Sequence, residues 1–447
     1  MVLALPDDAF AVPDTGDTAW LLISASLVLL MTPGLAFFYG GLSRGKSVLN
    51  MMMMSFGSIA TVSVVYVLWG FSMAFGNGIT GDDDIWGVFS NPFALFGSDQ
   101  LMETREVTQN GEAVEQVVTG GLTIPSTVFL AFQLTFAVIT VALISGSLAE
   151  RVKFSTWLVF SVIWATIVYF PLSHMVWGGG IMSGAEDGFA AWMFGTEDGA
   201  AKVAPIDFAG GTVVHINAGM AGLVLALIVG ARVGFGKTAY RPHNIPFVML
   251  GAALLWFGWF GFNAGSELAA DMTAGKVWIN TTAATAAAMI GWLAVEWVRD
   301  RHPTSVGAAS GIVAGLVAIT PACGALTPVG SLILGVVAGI LSALAISLKN
   351  KFGYDDSLDV VGVHLVSGLW GTVAIGLLAK DTGLFYGHDY KQLVVQIVIA
   401  AFALVFTGVL TAVIALILKP LGWKVDAEDE HNGIDEAEHA ETAYELA

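Results

Sequence analysis

Eight histidines stand in the 447-residue chain, and only His215 and His364 lie well inside long apolar runs. A polar ring at membrane depth costs free energy unless it has a partner or a function. A single ring of this kind is ordinarily satisfied by one backbone carbonyl. Two rings at matching places allow other chemistry: one N–H can donate to the other ring's bare nitrogen, which fixes both tautomers and keeps both rings neutral. A neutral pair offers a small polar guest a donor or an acceptor without repelling a cation. Each histidine follows an aspartate, Asp207 before His215 and Asp359 before His364. Asp207 stands beside Gly210 and Gly211, where its carboxylate can cap a helix start or attract a cation and accept its proton. The two roles are compatible, because a carboxylate held by backbone donors keeps its negative potential.

Aromatic residues crowd the same neighbourhoods. Met175-Val176-Trp177-Gly178-Gly179-Gly180 closes one apolar run; Trp256, Trp259, Phe260 and Phe262 fill another, followed by Asn263 and Ser266; Phe132 and Phe136 lie in a third. An interfacial aromatic belt accounts for most of the fourteen tryptophans. The sharper reading is a cage for a small cation, where cation–π attraction is worth about 0.5–2 kcal/mol and a hydroxyl such as Ser266 accepts from the cation's N–H. Signatures of enzymes are missing. There is no HExxH, and Gly236-Lys237-Thr238 has Ala231 where a phosphate loop needs glycine. The lone Cys323 leaves no internal disulfide framework and no four-cysteine metal site. No enzymatic activity, metal or cofactor is expected.

The elements that must position these residues follow from composition. Apolar residues make up 56% and charged residues only 12%, about half the charged share of a soluble domain. The net charge of −18 argues against nucleic acid, whose phosphates need basic patches. An all-α membrane protein remains. A spanning helix needs about 20 mostly apolar residues, and eleven such runs occur: 20–40, 51–76, 125–149, 156–177, 208–230, 246–266, 277–298, 305–324, 329–348, 360–379 and 392–418. Of the 18 basic residues, Arg105, Lys202, Lys276, Lys380 and Lys391 fall on one side and the rest on the other. The positive-inside rule then places the N-terminus outside and the C-terminus inside.

Runs one to five and six to ten form halves of opposite topology, the plan of inverted-repeat transporters, with run eleven outside the repeat. The expected divisions are an extracellular segment 1–19, a first half 20–230 containing an outer loop 77–124, a cytoplasmic loop 231–245, a second half 246–379, span 392–418 and an acidic, flexible tail 419–447. Residues 1–19 hold four aspartates and no Lys or Arg, unlike a signal peptide's basic start. Glycines at helix-packing spacing, such as Gly335 and Gly339, predict a tight bundle. One difficulty arises. His215 is eight residues past Asp207, about 12 Å deep, while His364 is five past Asp359, about 7 Å deep from the other face. In a core of about 30 Å the rings miss each other unless Asp359 is sunk below the surface as the cap of a buried helix end.

These motifs resemble the Amt/Rh family of ammonium transporters from about residue 19 to the end of the tail. The resemblance rests on Pro33 to Gly41, Ser173 to Gly180, Asp207 to Asn217, Gly258 to Ser266, Thr320 to Gly324 and Asp359 to His364. It implies an eleven-helix fold in the plasma membrane and a homotrimer with one pore per subunit, in contact with membrane lipid. By motif, Phe136, Trp177 and Ser266 resemble an external recruitment site for ammonium or methylammonium, with Trp259 and Phe262 around it. Phe136 and Phe262 resemble a stacked gate, His215 and His364 a pore-lining pair, and Asp207 the acidic residue below the recruitment site. Trp177 favours the Amt branch. The implied course is deprotonation near the gate, passage of NH₃ and reprotonation inside, with a proton moved separately or not at all. Gly433-Ile434-Asp435 and His439 to Tyr444 are similar to the tail that contacts a PII signalling protein. The alternative within the family is an ammonium sensor signalling through its tail. Loop 77–124 is longer than usual and has no family role.

Overall fold

The computed structural model describes residues 5–82, 84–109 and 111–444. Its main helices are α1 Thr15–Leu42, α2 Val48–Phe75, α3 Ser126–Leu148, α4 Phe154–Trp177, α5 Gly211–Val229, α6 Ile245–Glu267, α7 Met272–Asp300, α8 Ser305–Ile319, α9 Pro328–Phe352, α10 Val361–Leu378 and α11 Lys391–Ile417. Each falls on one of the expected apolar runs. The starts are set by side-chain caps that occupy orphan N–H groups. Asp14 accepts from Asp17 N at 2.9 Å for α1, Asn244 from Phe247 N at 3.0 Å for α6, and Asp271 from Thr273 N at 2.8 Å for α7.

Among the described residues, ten of these helices are long and apolar enough to cross a membrane, not eleven. The exception is α8, expected over 305–324. It ends at Ile319 after 15 residues, because Pro321 has no N–H with which to continue the ladder. Backbones approach closely where glycine was expected to allow it. A Cβ at Gly335 would lie 2.1 Å from the Ala284 carbonyl oxygen, and one at Gly339 2.0 Å from that of Ala288, so α7 and α9 can pack this tightly only with hydrogen at those positions.

The two ends of the bundle carry different structures. At one end, strands β1 Phe10–Ala11, β2 Thr104–Gln109 and β3 Glu112–Val118 form an antiparallel sheet in the order β1-β3-β2. The long loop is therefore a folded element tied to the N-terminal segment. At the other end the acidic tail is docked, which corrects the expectation of a flexible segment. It forms α12 Ala427–Asn432 and α13 Ile434–His439. Asp435 accepts from Leu49 N at 3.0 Å and Asn50 N at 2.8 Å, while Glu438 accepts from Phe154 N at 2.7 Å. The tail carboxylates thus cap α2 and α4, and Ile434 is completely buried. Below, the ends are called the loop face and the tail face.

Candidate functional site: a file of rings leading to paired histidines

From the loop face inward, aromatic rings follow one another in a file. Trp177, at the end of α4, meets Phe136 of α3 edge to face, with centroids 6.0 Å apart. Phe136 stacks on Phe262 of α6 at 4.1 Å with 16° between planes. Phe262 lies 6.1 Å from the His215 ring, and His215 lies 5.5 Å from His364. Trp259 stacks on His215 at 5.5 Å and 17°, held there by an indole N–H donated to Thr320 Oγ1 at 2.8 Å. Trp177 stays half-buried while Phe136, Trp259 and Phe262 are buried. Ser266 is half-buried beyond Phe262, to whose carbonyl its hydroxyl donates at 2.8 Å. Its oxygen lone pairs remain available.

The two histidines come together. Their Nδ1 atoms are 3.4 Å apart and both rings are buried, at 1% and 3% exposure. The separation is slightly longer than the 2.7–3.2 Å expected of a firm hydrogen bond, and it requires one Nδ1–H facing one bare Nδ1. His215 Nε2 has no partner among the described residues. A narrow space of about 10 Å³ lies against the pair, lined by aliphatic residues such as Met31, Leu35, Ile139 and Leu143 and by Trp259 and Phe262, with His215 and His364. No ionic side chain lines it. The approach of α5 to α10 depends on Gly219, where a Cβ would stand 2.6 Å from Leu365 N.

Asp207 caps the start of α5. Gly210 has φ +114°, a conformation that favours glycine, and the turn it makes points successive N–H groups at one carboxylate. Oδ1 accepts from Gly210 N at 2.8 Å and Gly211 N at 2.5 Å; Oδ2 accepts from Thr212 N at 2.8 Å and from the Thr212 hydroxyl. The Asp207 carbonyl takes the Trp177 indole N–H at 2.8 Å. One residue therefore fixes both the helix start and the outer tryptophan.

Asp359 does not cap α10. Asp356 does, accepting from Val360 N at 3.1 Å, Val361 N at 2.7 Å and Ser147 Oγ at 2.8 Å. Asp359 has φ +64°, which turns its side chain away to pair with Lys349 Nζ at 2.7 Å, and that side chain stays 32% exposed. The correction removes the depth mismatch. His215 is 215 − 207 = 8 residues past its cap, and His364 is 364 − 356 = 8 past its own. Both histidines sit in wide turns with i→i+5 bonding, Gly211–Ile216 and Val361–Leu365. Burial pushes the carboxyl of Asp356 up; that of Asp359 is raised to about 6 by its partly desolvated position and the charge of Asp356, with Lys349 opposing both. Nearby, Arg232 bridges Asp355 at 2.9 Å and Glu150 at 3.2 Å. Arg151 donates to the Ser147 and Asp355 carbonyls at 2.9 and 2.8 Å, and burial lowers it to about 10.

Sequence reasoning missed Asp356, although its eight-residue spacing to His364 repeats that of Asp207 to His215. Thr320, which holds Trp259, opens the Thr320 to Gly324 motif but carries no signal of its own.

Known proteins resemble the chain over nearly its whole length. The chain matches the Ammonium Transporter Family over residues 19–444. It is 54% identical to an ammonium transporter of Mycobacterium tuberculosis, over 98% of this chain and 91% of that protein. The crystal structure of Saccharomyces cerevisiae Mep2 is similar with TM-score 0.77 and 30% identity, covering 93% of this chain and 91% of that one. A structure titled Sensor Amt Protein is similar with TM-score 0.79 and 26% identity, covering 95% and 98%. The chain is therefore a multi-pass helical membrane protein and belongs to the Ammonium Transporter Family.

Proposed function

We propose that the chain transports ammonium, taking NH₄⁺ at Trp177, Phe136, Trp259 and Ser266 and passing NH₃ between His215 and His364. The observation that carries this reading is the file of rings that ends on an apolar, ion-free space beside two coupled histidines. Cation–π attraction and the Ser266 oxygen replace part of the hydration shell at the outer end. Beyond the Phe136–Phe262 stack no anion awaits a bare cation, whose burial unpaired is expensive. The nitrogen therefore crosses as neutral NH₃, its proton passing to water on the loop-face side of the stack, and NH₃ takes up a proton again from water beyond the histidines. The Phe136 and Phe262 rings must swing apart for each passage, since they are stacked at 4.1 Å. Both Asp207 oxygens are engaged, so the residue acts by its cap and its negative potential rather than as the proton acceptor.

In this reading α8 completes an eleven-helix crossing with a short segment. Two inverted halves place α5 and α10 about one axis, the loop face is outside a plasma membrane, and the tail face inside meets a PII signalling protein. Three copies assemble with lipid around them. Current and pH recording on purified protein in planar bilayers under an ammonium gradient tests it. Ammonium-dependent flux, carried as current or as a pH change without current, is expected. Binding without flux overturns transport and favours a sensor, the reading raised by the likeness to the Sensor Amt Protein structure.

A further inference from the structure

A second space touches Trp177 and is lined by neither Phe136, Phe262 nor Ser266. Its volume is about 160 Å³, and it lies between the end of α2, the start of α3 and both ends of the 77–124 loop. Three rings line it, Phe75, Phe129 and Trp177, with Phe75 and Phe129 edge to face at 4.9 Å. The polar lining consists of Asn77, Thr119 and Ser126 together with backbone at Gly78, Gly120 and Gly178. No Lys or Arg lines the space. The Asn77 amide is already oriented, its N–H donating to the Gly178 carbonyl at 3.1 Å and its oxygen accepting from Ser90 at 3.0 Å. The Thr119 hydroxyl is different. The residue is 1% exposed and its Oγ1 has no partner among the described residues. Leaving a buried hydroxyl unmatched costs about 1–3 kcal/mol, which a guest can relieve.

Aromatic faces and neutral oxygen acceptors without a competing cation suit a small monovalent cation bearing N–H groups. We infer that this space is a second binding site for ammonium or methylammonium, a chamber built by the 77–124 loop that hands the cation on to Trp177. The handing-on rests on the transport reading; the binding does not. Trp177 is shared, lining this chamber while its other contacts are Phe136 and the Asp207 carbonyl. The long loop thereby gains a role, because its two ends line the chamber and its sheet ties them to the N-terminal segment.

Two substitutions test the chamber without touching the ring file. Thr119→Val removes the free hydroxyl and keeps the shape. Gly78→Leu adds a bulky side chain at the lining, where a Cβ meets nothing within 4 Å. Crystals of the full chain soaked in thallium(I), an ion of ammonium's size and charge, report occupancy by anomalous scattering. A peak among Phe75, Phe129 and Thr119 in the wild type, weaker in Thr119→Val and absent in Gly78→Leu, is expected. Uptake of labelled methylammonium should show half-saturation raised roughly two- to tenfold in Thr119→Val, the factor carried by one neutral hydrogen bond, with the maximal rate retained. A chamber that holds only water while thallium occupies the Ser266 side overturns the proposal, as does a peak indifferent to both variants. Unchanged half-saturation in both variants overturns the handing-on. Thallium in the chamber of a protein that takes up no methylammonium leaves the binding standing and removes the transport reading instead.

Discussion

The starts of α5 and α10 have one plan and two electrostatic settings. In each, an aspartate eight residues before a histidine gathers backbone N–H groups at a wide turn. At the loop face, Asp207 is held only by neutral donors and no ion pair reaches it among the described residues. At the tail face, Asp356 sits in a charged cluster, with Lys349 donating to its carbonyl and pairing with Asp359, and with Arg232 bound to neighbouring Asp355. Shared geometry sets the two histidines at matching depth. Unshared charge distinguishes the two ends: under the transport proposal, uncompensated negative potential stands where a cation would be drawn in, and compensated charge where neutral ammonia would emerge. Dissolved salt screens such fields at exposed sites but much less at buried ones.

The difference between the two caps predicts a graded series. Asp207→Ala strands four buried donors, so it should lower stability by more than about 3 kcal/mol and abolish uptake. Asp207→Asn should lose less but still transport poorly, because its NH₂ faces N–H groups that now meet a carboxylate oxygen. Thermal unfolding in detergent alongside methylammonium uptake measures both, and wild-type values for the alanine variant would end the capping argument. Asp356→Ala, which strands two backbone donors and Ser147, should cost about 2 kcal/mol and slow transport without altering half-saturation. A larger loss than at Asp207 would reverse the assigned asymmetry.

Trp177→Leu removes a cation–π contact of about 0.5–2 kcal/mol and should raise the half-saturation for methylammonium while the protein stays folded. Equal half-saturation would remove the outer cage. On the tail face, Asp435→Ala deprives Leu49 and Asn50 of their cap. The loss of about 0.5–2 kcal/mol should appear as a lower melting temperature with transport retained. Deleting 426–447 should abolish control by a PII protein but not flux, and complete loss of flux would make the tail part of the pore. The smallest effect concerns pH. The Asp359 carboxyl is raised in the folded protein to about 6, so its contribution to stability is greatest below about pH 4 and is lost as pH rises through about 6. Asp359→Asn should flatten that part of a melting-temperature profile, and an unchanged slope would place the titration elsewhere.

Much of this was legible because hydropathy over about twenty residues is a strong signal. All eleven apolar runs became helices, and His215, His364, Phe136 and Phe262 were found together as expected. What escaped depended on backbone conformation and on partners remote in the chain. Asp355, Asp356 and Asp359 all precede His364, and only the positive φ of Asp359 decides that Asp356 caps the helix. Composition marks the tail as solvated, yet Asp435 and Glu438 satisfy helix starts nearly 400 and 300 residues away in sequence. Pro321 shortens α8 although the run stays apolar beyond it. The alternation of strands β2 and β3 was hidden in a segment read only as a polar loop.

The histidine pair is the point at which geometry and transport meet most directly. Purified wild-type protein in liposomes should take up labelled methylammonium with saturation, above protein-free liposomes. A His215→Leu/His364→Leu double variant keeps the apolar lining while removing both ring nitrogens from the path. Its saturable uptake should fall to the background of empty liposomes or change in substrate and ion selectivity while melting remains near wild type. Wild-type rate and selectivity in the double variant would contradict a pathway between His215 and His364.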